Sequence, residues 1–338
     1  MKGAKVSVCV PNYNNAQYLE QCLLSAVNQE YDNFEVIFVD DCSTDNSLPI
    51  AKDIAKKFPD KVFIYSNENN IGQPKNTNKA LKLCNGEYVV ILHSDDCLLP
   101  NFLNTLVPIL HSNSALGMAV GERLETNESG DVDEITPFYD VNCIVPGEMQ
   151  AKVFMMMSFL PCQVLFRKST FNLAGGVDEQ HVVNLDGLLW FKCALNGDVA
   201  YVRTAVSIYR VHANSTTAAF NRTIDHMLEY YNTLKKMFEY GKSSDYLKLH
   251  FDDAAKRIGS LTVRYCYDVM KEENFELARQ YLALATVFDP SITKNKSYQF
   301  ILACLNSDNT TEMFFELLNE NSSKRMTSYR PPEGFILL

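Results

Sequence analysis

The sequence lacks any pair of cysteines at Cys-x-x-Cys spacing, although cysteine occurs ten times among its 338 residues. None of the ten stands near a histidine at the spacing of a zinc finger. Several lie inside apolar runs, as Cys9 and Cys193 do, which favours reduced, buried thiols that pack as small hydrophobic groups. Because the N-terminus also shows no signal peptide, we predict a reducing, cytoplasmic setting.

Long apolar runs and an excess of positive charge are missing as well. The most apolar stretch, 153–166, is interrupted by Ser158, Pro161 and Gln163, whereas a membrane span needs about 20 apolar residues. The formal net charge is −10, whereas non-specific binding to nucleic acid needs clustered Lys and Arg. We therefore expect neither a transmembrane segment nor a nucleic-acid partner.

Short β-type runs alternate with helical patterns over the first hundred residues. Strands are expected at 6–10, 34–39, 61–65 and 88–92, and helices at 16–28, 48–58 and 75–84. This alternation predicts an α/β fold with a mostly parallel sheet flanked by helices. Residues 11–15 contain no glycine, which disfavours a nicotinamide-dependent oxidoreductase because its cofactor needs a glycine-rich turn after the first strand.

The second half of the chain changes character near residue 222. Before that point we expect a turn at 127–131, a short strand at 164–166, a helix over 186–196 and a strand over 199–211. After it, apolar residues keep helical spacing. We predict an α/β domain over 1–222 and an all-helical C-terminal domain over 223–338, with 330–338 as a loose tail.

Polar and acidic residues follow three of the expected strands, at the edge where open α/β sheets bind their ligands. Carboxylates there are suitable ligands for Mg²⁺ or Mn²⁺. Each residue also has a structural interpretation when taken alone. Asp41 suits a helix cap, Asp186 suits a helix N-terminus, and His212 suits a structural histidine.

Six blocks in order carry more information than any single residue. They lie at 6–47, 70–88, 92–96, 166–179, 186–197 and 209–215, and include P-N-Y-N, V-D-D-C-S-T-D, H-S-D-D and Y-R-V-H. Together they resemble the family 2 glycosyltransferases with the GT-A fold, over about residues 4–217. The resemblance implies inverting transfer of a sugar from a nucleotide-diphospho-sugar, with a UDP-sugar expected, to a hydroxyl of a glycan or glycolipid acceptor. It also implies surface-polysaccharide synthesis at the inner face of the membrane.

The resemblance also implies roles for individual residues. Asp186 aligns with the general base. Asp95 aligns with the metal-binding aspartate, with His212 and His93 as further ligands of Mn²⁺ or Mg²⁺. The residues implied in binding the nucleotide sugar are Pro11, Tyr13, Asn14, Asp41, Lys75, Asn78, Ser94 and Asp96.

Three positions depart from the family pattern. His93 replaces the first aspartate of D-x-D, which favours a softer transition metal than Mg²⁺ or a place beside the ribose. Thr77 replaces an arginine that pairs with the diphosphate, and Lys75 is a candidate substitute. Leu185 replaces the acidic residue before Asp186.

The sequence is also compatible with other functions. A non-catalytic module that binds sugar nucleotides would share the first half of these motifs but would not need Asp186. The helical region suits a protein-docking module, an interface for a homo-oligomer, or packing that completes the acceptor site. Peripheral association with a membrane is compatible with every one of these. Loops 124–150 and 212–222 are expected to select the acceptor.

Overall fold

A computed structural model describes residues 3–126, 131–180, 184–212, 223–307, 310–312, 314 and 327–338. The chain divides into two compact units. The first unit contains residues 1–212 and 327–338, and the second contains 213–326. Most of the turn expected at 127–131 and most of the acceptor loop expected at 212–222 lie outside the described residues.

The first unit alternates strands and helices along most of its length. Its strands are β1 (Val6–Asn12), β2 (Phe34–Asp40), β3 (Val62–Ser66), β4 (Tyr88–Ile91), β5 (Cys97–Leu98), β6 (Leu116–Thr126), β7 (Val132–Glu134), β8 (Cys143–Val145), β9 (Val164–Arg167), β10 (Asp198–Arg210) and β11 (Ile336–Leu337). Its helices are α1 (Ala16–Val27), α2 (Ser47–Lys57), α3 (Gln73–Leu83), α4 (Phe102–Ser112), α5 (Gly147–Phe154), α6 (Lys168–Ala174) and α7 (Leu185–Ala194).

All eleven strands join one sheet, in the order β11-β8-β10-β6-β9-β4-β1-β2-β3, with β5 on β10 and β7 on β6. The run β4-β1-β2-β3 is parallel, and β6 is parallel to β10. Strand β9 is antiparallel to both β4 and β6, so the sheet is mixed. The expected α/β sheet flanked by helices is confirmed.

The register of the parallel strands brings the predicted polar segments to one edge. Asn12 lies opposite Asp40, and Cys9 lies opposite Ile91, so β1, β2 and β4 end close together. Both β1 and β2 are buried along their whole length. Buried strands with helices on their faces explain the near-continuous apolar runs in the sequence.

The last residues return to the sheet, so the prediction of a loose tail at 330–338 was wrong. Strand β11 pairs antiparallel with β8, and Tyr329 forms an isolated bridge with Tyr139. Short-range patterns do not indicate this pairing, because it joins segments almost 200 residues apart and two prolines interrupt the tail. Residues 327–338 therefore belong to the first compact unit, whereas the predicted C-terminal domain over 223–338 included them.

The second unit is helical in its described part. Its helices are α8 (Asp225–Gly241), α9 (Asp245–Lys271), α10 (Phe275–Phe288) and α11 (Lys296–Leu305). Ser244, Asn274 and Asn295 cap α9, α10 and α11 by accepting hydrogen bonds from backbone N–H groups. None of the described helices in either unit is both long enough and apolar enough to cross a membrane.

Candidate functional site

The segment after β1 forms one wall of the site. The Asn12 side chain is buried and donates from Nδ2 to Asp40 Oδ1 at 2.8 Å. Asn14 has a left-handed φ of 52° and is held by Ser43, whose Oγ accepts from the Asn14 N–H at 2.9 Å. These contacts hold the turn while leaving Tyr13 47% exposed. The turn therefore holds an exposed aromatic ring on a hydrogen-bonded backbone.

Asp41 is buried and fastens the loop that precedes α3. Its Oδ1 accepts from Asn67 Nδ2 at 2.7 Å and from the Ile71 N–H at 2.9 Å. Its Oδ2 accepts from the Gly72 N–H at 2.9 Å. A carboxylate offers about four acceptor positions, so these three bonds leave little capacity for a ligand. Lys75 lies exposed in the first turn of α3, just beyond this loop.

Asn78 reaches away from that loop to a distant segment. Its Nδ2 donates to the Val177 carbonyl oxygen at 2.9 Å, and its Oδ1 accepts from the Val177 N–H at 3.0 Å. The same Nδ2 donates to Glu179 Oε1 at 2.9 Å. The Asn78 side chain, which the resemblance placed near the ribose and diphosphate of the nucleotide sugar, is therefore engaged with the segment that leads toward α7.

A cluster of candidate metal ligands follows β4. His93, Asp95 and Asp96 each offer one ligand atom, and these atoms lie within 4.8 Å of one another. Asp96 is buried and accepts from the Arg210 N–H at 3.0 Å. Burial, and then repulsion from Asp95, raise the pKa of Asp96 well above its ordinary value. A cation at this position would relieve both costs.

His212 adds a fourth group to this cluster from the end of β10. Its Nε2 lies 3.1 Å from Asp95 Oδ2, and its ring packs 4.7 Å from that of Tyr18. The imidazole is buried, and its Nδ1 has no hydrogen-bond partner among the described residues. Ser94 is buried beside the cluster and accepts from Asn15 Nδ2 at 2.9 Å. The structure thus groups His93 and His212 around Asp95, as the predicted cation site requires, and adds Asp96, which was predicted to bind the nucleotide sugar.

No role was predicted for Arg210 from the sequence, although it lies in the closing Y-R-V-H block. Its Nε donates to the Asp95 carbonyl oxygen at 3.0 Å, in addition to its backbone bond with Asp96. Its guanidinium carbon lies 4.7 Å from the centre of the Tyr18 ring. Arg210 therefore ties β10 to the turn that carries the acidic cluster. Its position two residues before His212, a predicted cation ligand, is the sequence feature that could have indicated this role.

Asp186 lies in the first turn of α7 and is partly exposed. Desolvation raises the pKa of its carboxyl group, while the Gly187 N–H and then the charge of His93 lower it. His93 belongs to the acidic cluster, so its charge links the proton affinity of Asp186 to that cluster. Asn184, the residue before the first residue of α7, has a left-handed φ of 57°. A carboxylate with raised proton affinity beside a candidate metal site suits proton abstraction.

Comparison with known proteins identifies the family of this fold. Residues 7–170 match the family described as glycosyl transferase family 2. The chain carries a family 2 glycosyl transferase domain. The predictions of this family, for the matched domain, and of the GT-A fold are therefore confirmed, and the comparisons support glycosyltransferase activity.

Individual relatives are named as glycosyltransferases, and a solved structure shares the fold. An uncharacterized glycosyltransferase of Haemophilus influenzae is 26% identical over 227 residues, which cover 64% of this chain and 68% of that protein. A poly(ribitol-phosphate) beta-glucosyltransferase of Bacillus spizizenii is 39% identical over 94 residues, covering 27% of this chain and 15% of that protein. The crystal structure of S. aureus TarS 1–349 in complex with UDP-GlcNAc has a TM-score of 0.65 at 17% identity. It covers 99% of both chains.

Proposed function

We propose that this glycosyltransferase moves a sugar from a UDP-sugar to a hydroxyl of a surface glycan or glycolipid, with the help of a divalent cation. The observation that carries the proposal is the cluster of His93, Asp95, Asp96 and His212. Asp186, whose pKa is raised by desolvation and lowered in part by the charge of His93, is the proposed base. A module that only binds a sugar nucleotide needs the residues that hold the cation. It does not need Asp186, a further carboxylate whose raised proton affinity suits proton abstraction.

The cluster suits a divalent cation on its own chemistry. Asp95 Oδ2 and His212 Nε2 are 3.1 Å apart, a spacing compatible with two ligands of one ion at about 2.0–2.2 Å each. The mutual repulsion of Asp95 and Asp96 favours added positive charge. Imidazole ligands favour Mn²⁺ over Mg²⁺. When bound, the cation supplies positive charge that stabilises the departing diphosphate.

The donor pocket lies at the ends of β1 and β2. The exposed Tyr13 ring is placed for stacking on a nucleobase, and Pro11 and Asn14 shape the turn around it. Asp41 contributes through the loop that it holds and through its remaining acceptor position. In this proposal Lys75 and Ser94 would bind the diphosphate of the donor. The complex of TarS with UDP-GlcNAc supports the choice of uridine as the nucleoside.

Asp186 serves as the general base in this proposal. The acceptor hydroxyl gives its proton to the Asp186 carboxylate as its oxygen attacks the anomeric carbon from the face opposite the diphosphate. Such direct displacement inverts the configuration of that carbon. Desolvation of Asp186 brings its proton affinity closer to that needed near neutral pH.

The nature of the acceptor is inferred from a relative. The Bacillus spizizenii protein is named for transfer to poly(ribitol-phosphate), a polymer with free hydroxyls. We infer an acceptor of the same broad class, a surface polymer or its lipid-linked precursor, at the cytoplasmic face of the membrane. The helical second unit then serves to bind the acceptor, a membrane surface or a second copy of the chain.

The proposal is tested by product formation from a panel of UDP-sugars with Mn²⁺, with Mg²⁺ and with a chelator. We expect transfer or slow donor hydrolysis that needs the cation and is stronger with Mn²⁺. Asp95→Asn should abolish it by weakening the cation site. Asp53→Asn, which changes an exposed carboxylate paired with Lys56, is the control and should retain wild-type turnover. Undiminished activity in chelator would remove the cation from the proposal.

Asp186→Asn distinguishes an enzyme from a binding module. Asparagine keeps the size and hydrogen bonding of aspartate, but it is a poor proton acceptor. Turnover should fall by roughly 10²–10⁴-fold, the effect of a positioned general base. The Kd for UDP measured by calorimetry should stay within about twofold. Equal turnover in the variant and the wild type would show that Asp186 is not the base.

A further inference from the structure

The segment from Gly175 to Glu179 follows α6 and runs toward the helix that carries Asp186. Gly175 and Gly176 have φ values of 74° and 80°, in the left-handed region where side chains other than glycine are strained. A Cβ atom at Gly176 would also lie 3.0 Å from Asn78 Oδ1. The backbone of this segment therefore depends on its glycines and on its contact with α3.

Asn78 holds this segment from one side. Its amide group pairs with the backbone of Val177 in both directions, at 2.9 and 3.0 Å, as a neighbouring strand would. The second bond of its Nδ2, to Glu179 Oε1, uses the other amide hydrogen. Both hydrogens of the amide are thus engaged, and one acceptor position of Oδ1 is filled.

Lys192 holds the same segment from the other side. It lies on α7, is buried, and donates from Nζ to the Gly176 carbonyl oxygen at 2.6 Å. Lys192 and Asp186 are six residues apart on one helix, which is about 9 Å along the axis. The segment is therefore tied to α3 through Asn78 and to the helix of the base through Lys192.

We propose that Asn78 is a positioning residue for the general base. In this assignment, which rests on the proposed function, Asn78 fixes Val177 and Lys192 carries that constraint to α7 and Asp186. It replaces the direct contact with ribose or diphosphate that the family resemblance implied. The physical reason is that the hydrogen-bonding groups of the amide are already committed to the segment at 177–179.

The test uses Asn78→Asp and Asn78→Ala in the full chain. Aspartate has nearly the same shape, but its carboxylate faces the Val177 carbonyl oxygen and Glu179 without a hydrogen to donate. We expect kcat to fall at least tenfold while the Kd for UDP changes less than about twofold. The exchange rate of the Val177 amide hydrogen, followed by mass spectrometry or NMR, should rise in both variants. Asn33→Ala, which removes only an exposed bond to the Gly3 carbonyl oxygen, is the matched control.

Lys192→Met provides an independent variant that perturbs the segment from the α7 side. Methionine fills the buried volume but cannot donate to Gly176. Lower kcat with unchanged UDP affinity in this variant too would support the proposal even if an Asn78 variant failed to fold.

Other outcomes would overturn the assignment. Weaker UDP binding with unchanged kcat in Asn78→Asp would mean that Asn78 contacts the donor. Unchanged kcat and an unchanged exchange rate of the Val177 amide hydrogen would mean that the hydrogen bonds of Asn78 to Val177 and Glu179 have no role. If the wild type showed no transfer with any donor, the proposed function would fail. Exchange at Val177 would still report whether Asn78 holds the segment.

Discussion

Carboxylates near the ends of two strands of this sheet have different environments. Asp40 is buried, and Asn12 and Ser43 donate hydrogen bonds to it, so it holds two strand ends together. Asp95 is partly exposed and faces His212. Both are acidic residues at the end of a strand, yet only the second is placed to bind a cation. The difference lies in the donors that surround each side chain.

Glu122 carries a buried carboxyl group outside the proposed site. Its Oε1 accepts from the Phe138 N–H at 2.9 Å, and its Oε2 has no hydrogen-bond partner among the described residues. Desolvation raises its pKa from 4.5 to about 7, while the Phe138 bond and the charges of Arg123 and Arg203 oppose the shift. The folded state therefore binds a proton that the unfolded state releases.

A pH dependence of stability follows from Glu122. Because its pKa is higher in the folded state, the free energy of unfolding falls as pH rises from about 4.5 to about 7. The contribution is about 2–3 kcal/mol between about pH 5 and about pH 8. Glu122→Gln should flatten the dependence by this amount in urea unfolding at the two pH values. Equal slopes in wild type and variant would show that Glu122 is ionised in the folded protein.

At the scale of elements, the short strand β11 completes one edge of the sheet. It pairs with β8, and Tyr329 donates its N–H to the Phe138 carbonyl oxygen at 2.8 Å. The Tyr329 ring also lies 5.6 Å from that of Phe138, at the border of an aromatic cluster in the first unit. That cluster contains Tyr139, Phe159 and Tyr201 as well.

Ending the chain after residue 326 should therefore destabilise the first unit. The truncation removes the backbone bonds to β8 and uncovers one side of the aromatic cluster, and it should lower the Tm by several degrees. Thermal unfolding followed by near-UV circular dichroism reports the change in aromatic packing directly. A chain ending at residue 334 keeps Tyr329 but loses β11, so it should show an intermediate Tm. A Tm unchanged by the longer truncation would contradict a structural role for the segment.

At the scale of the whole molecule, the first unit is discontinuous in sequence. Residues 213–326 are inserted between two parts that belong to one compact body. All residues of the proposed cation site and donor pocket lie before residue 213. Removing the helical unit would therefore remove no residue of the proposed cation site or donor pocket, and residues 327–338 must be retained because they belong to the first unit.

Replacing residues 213–326 with a flexible Gly/Ser linker should leave a folded unit that binds UDP. A linker of about 20 residues spans roughly 25 Å on average. Simple truncation after residue 212 should give a less stable protein, because it also removes the strand that pairs with β8. Calorimetric titration with UDP and the Tm of each variant provide the comparison. Equal Tm values for the two would show that the final segment contributes nothing to the first unit.

Local chemistry in the sequence determined most of the first unit. The βαβ alternation, the polar segments after β1, β2 and β4, and the helix that begins near Asp186 all follow from short-range patterns. A strand ends where apolar residues give way to polar ones, and a parallel sheet collects such ends at one edge. The cluster of His93, Asp95 and Asp96 could therefore be expected from the sequence.

Only the tertiary structure decided which groups meet across long separations. Asn78 contacts Val177, Arg210 ties Asp95 to β10, and β11 returns to β8. An amide or guanidinium side chain carries no mark of the partner that it will find. Two-residue strands have no periodicity, and hydrogen bonds between distant segments depend on how the whole sheet is ordered. The sequence thus specified the chemistry available at the site, and the fold decided which residues hold that chemistry in place.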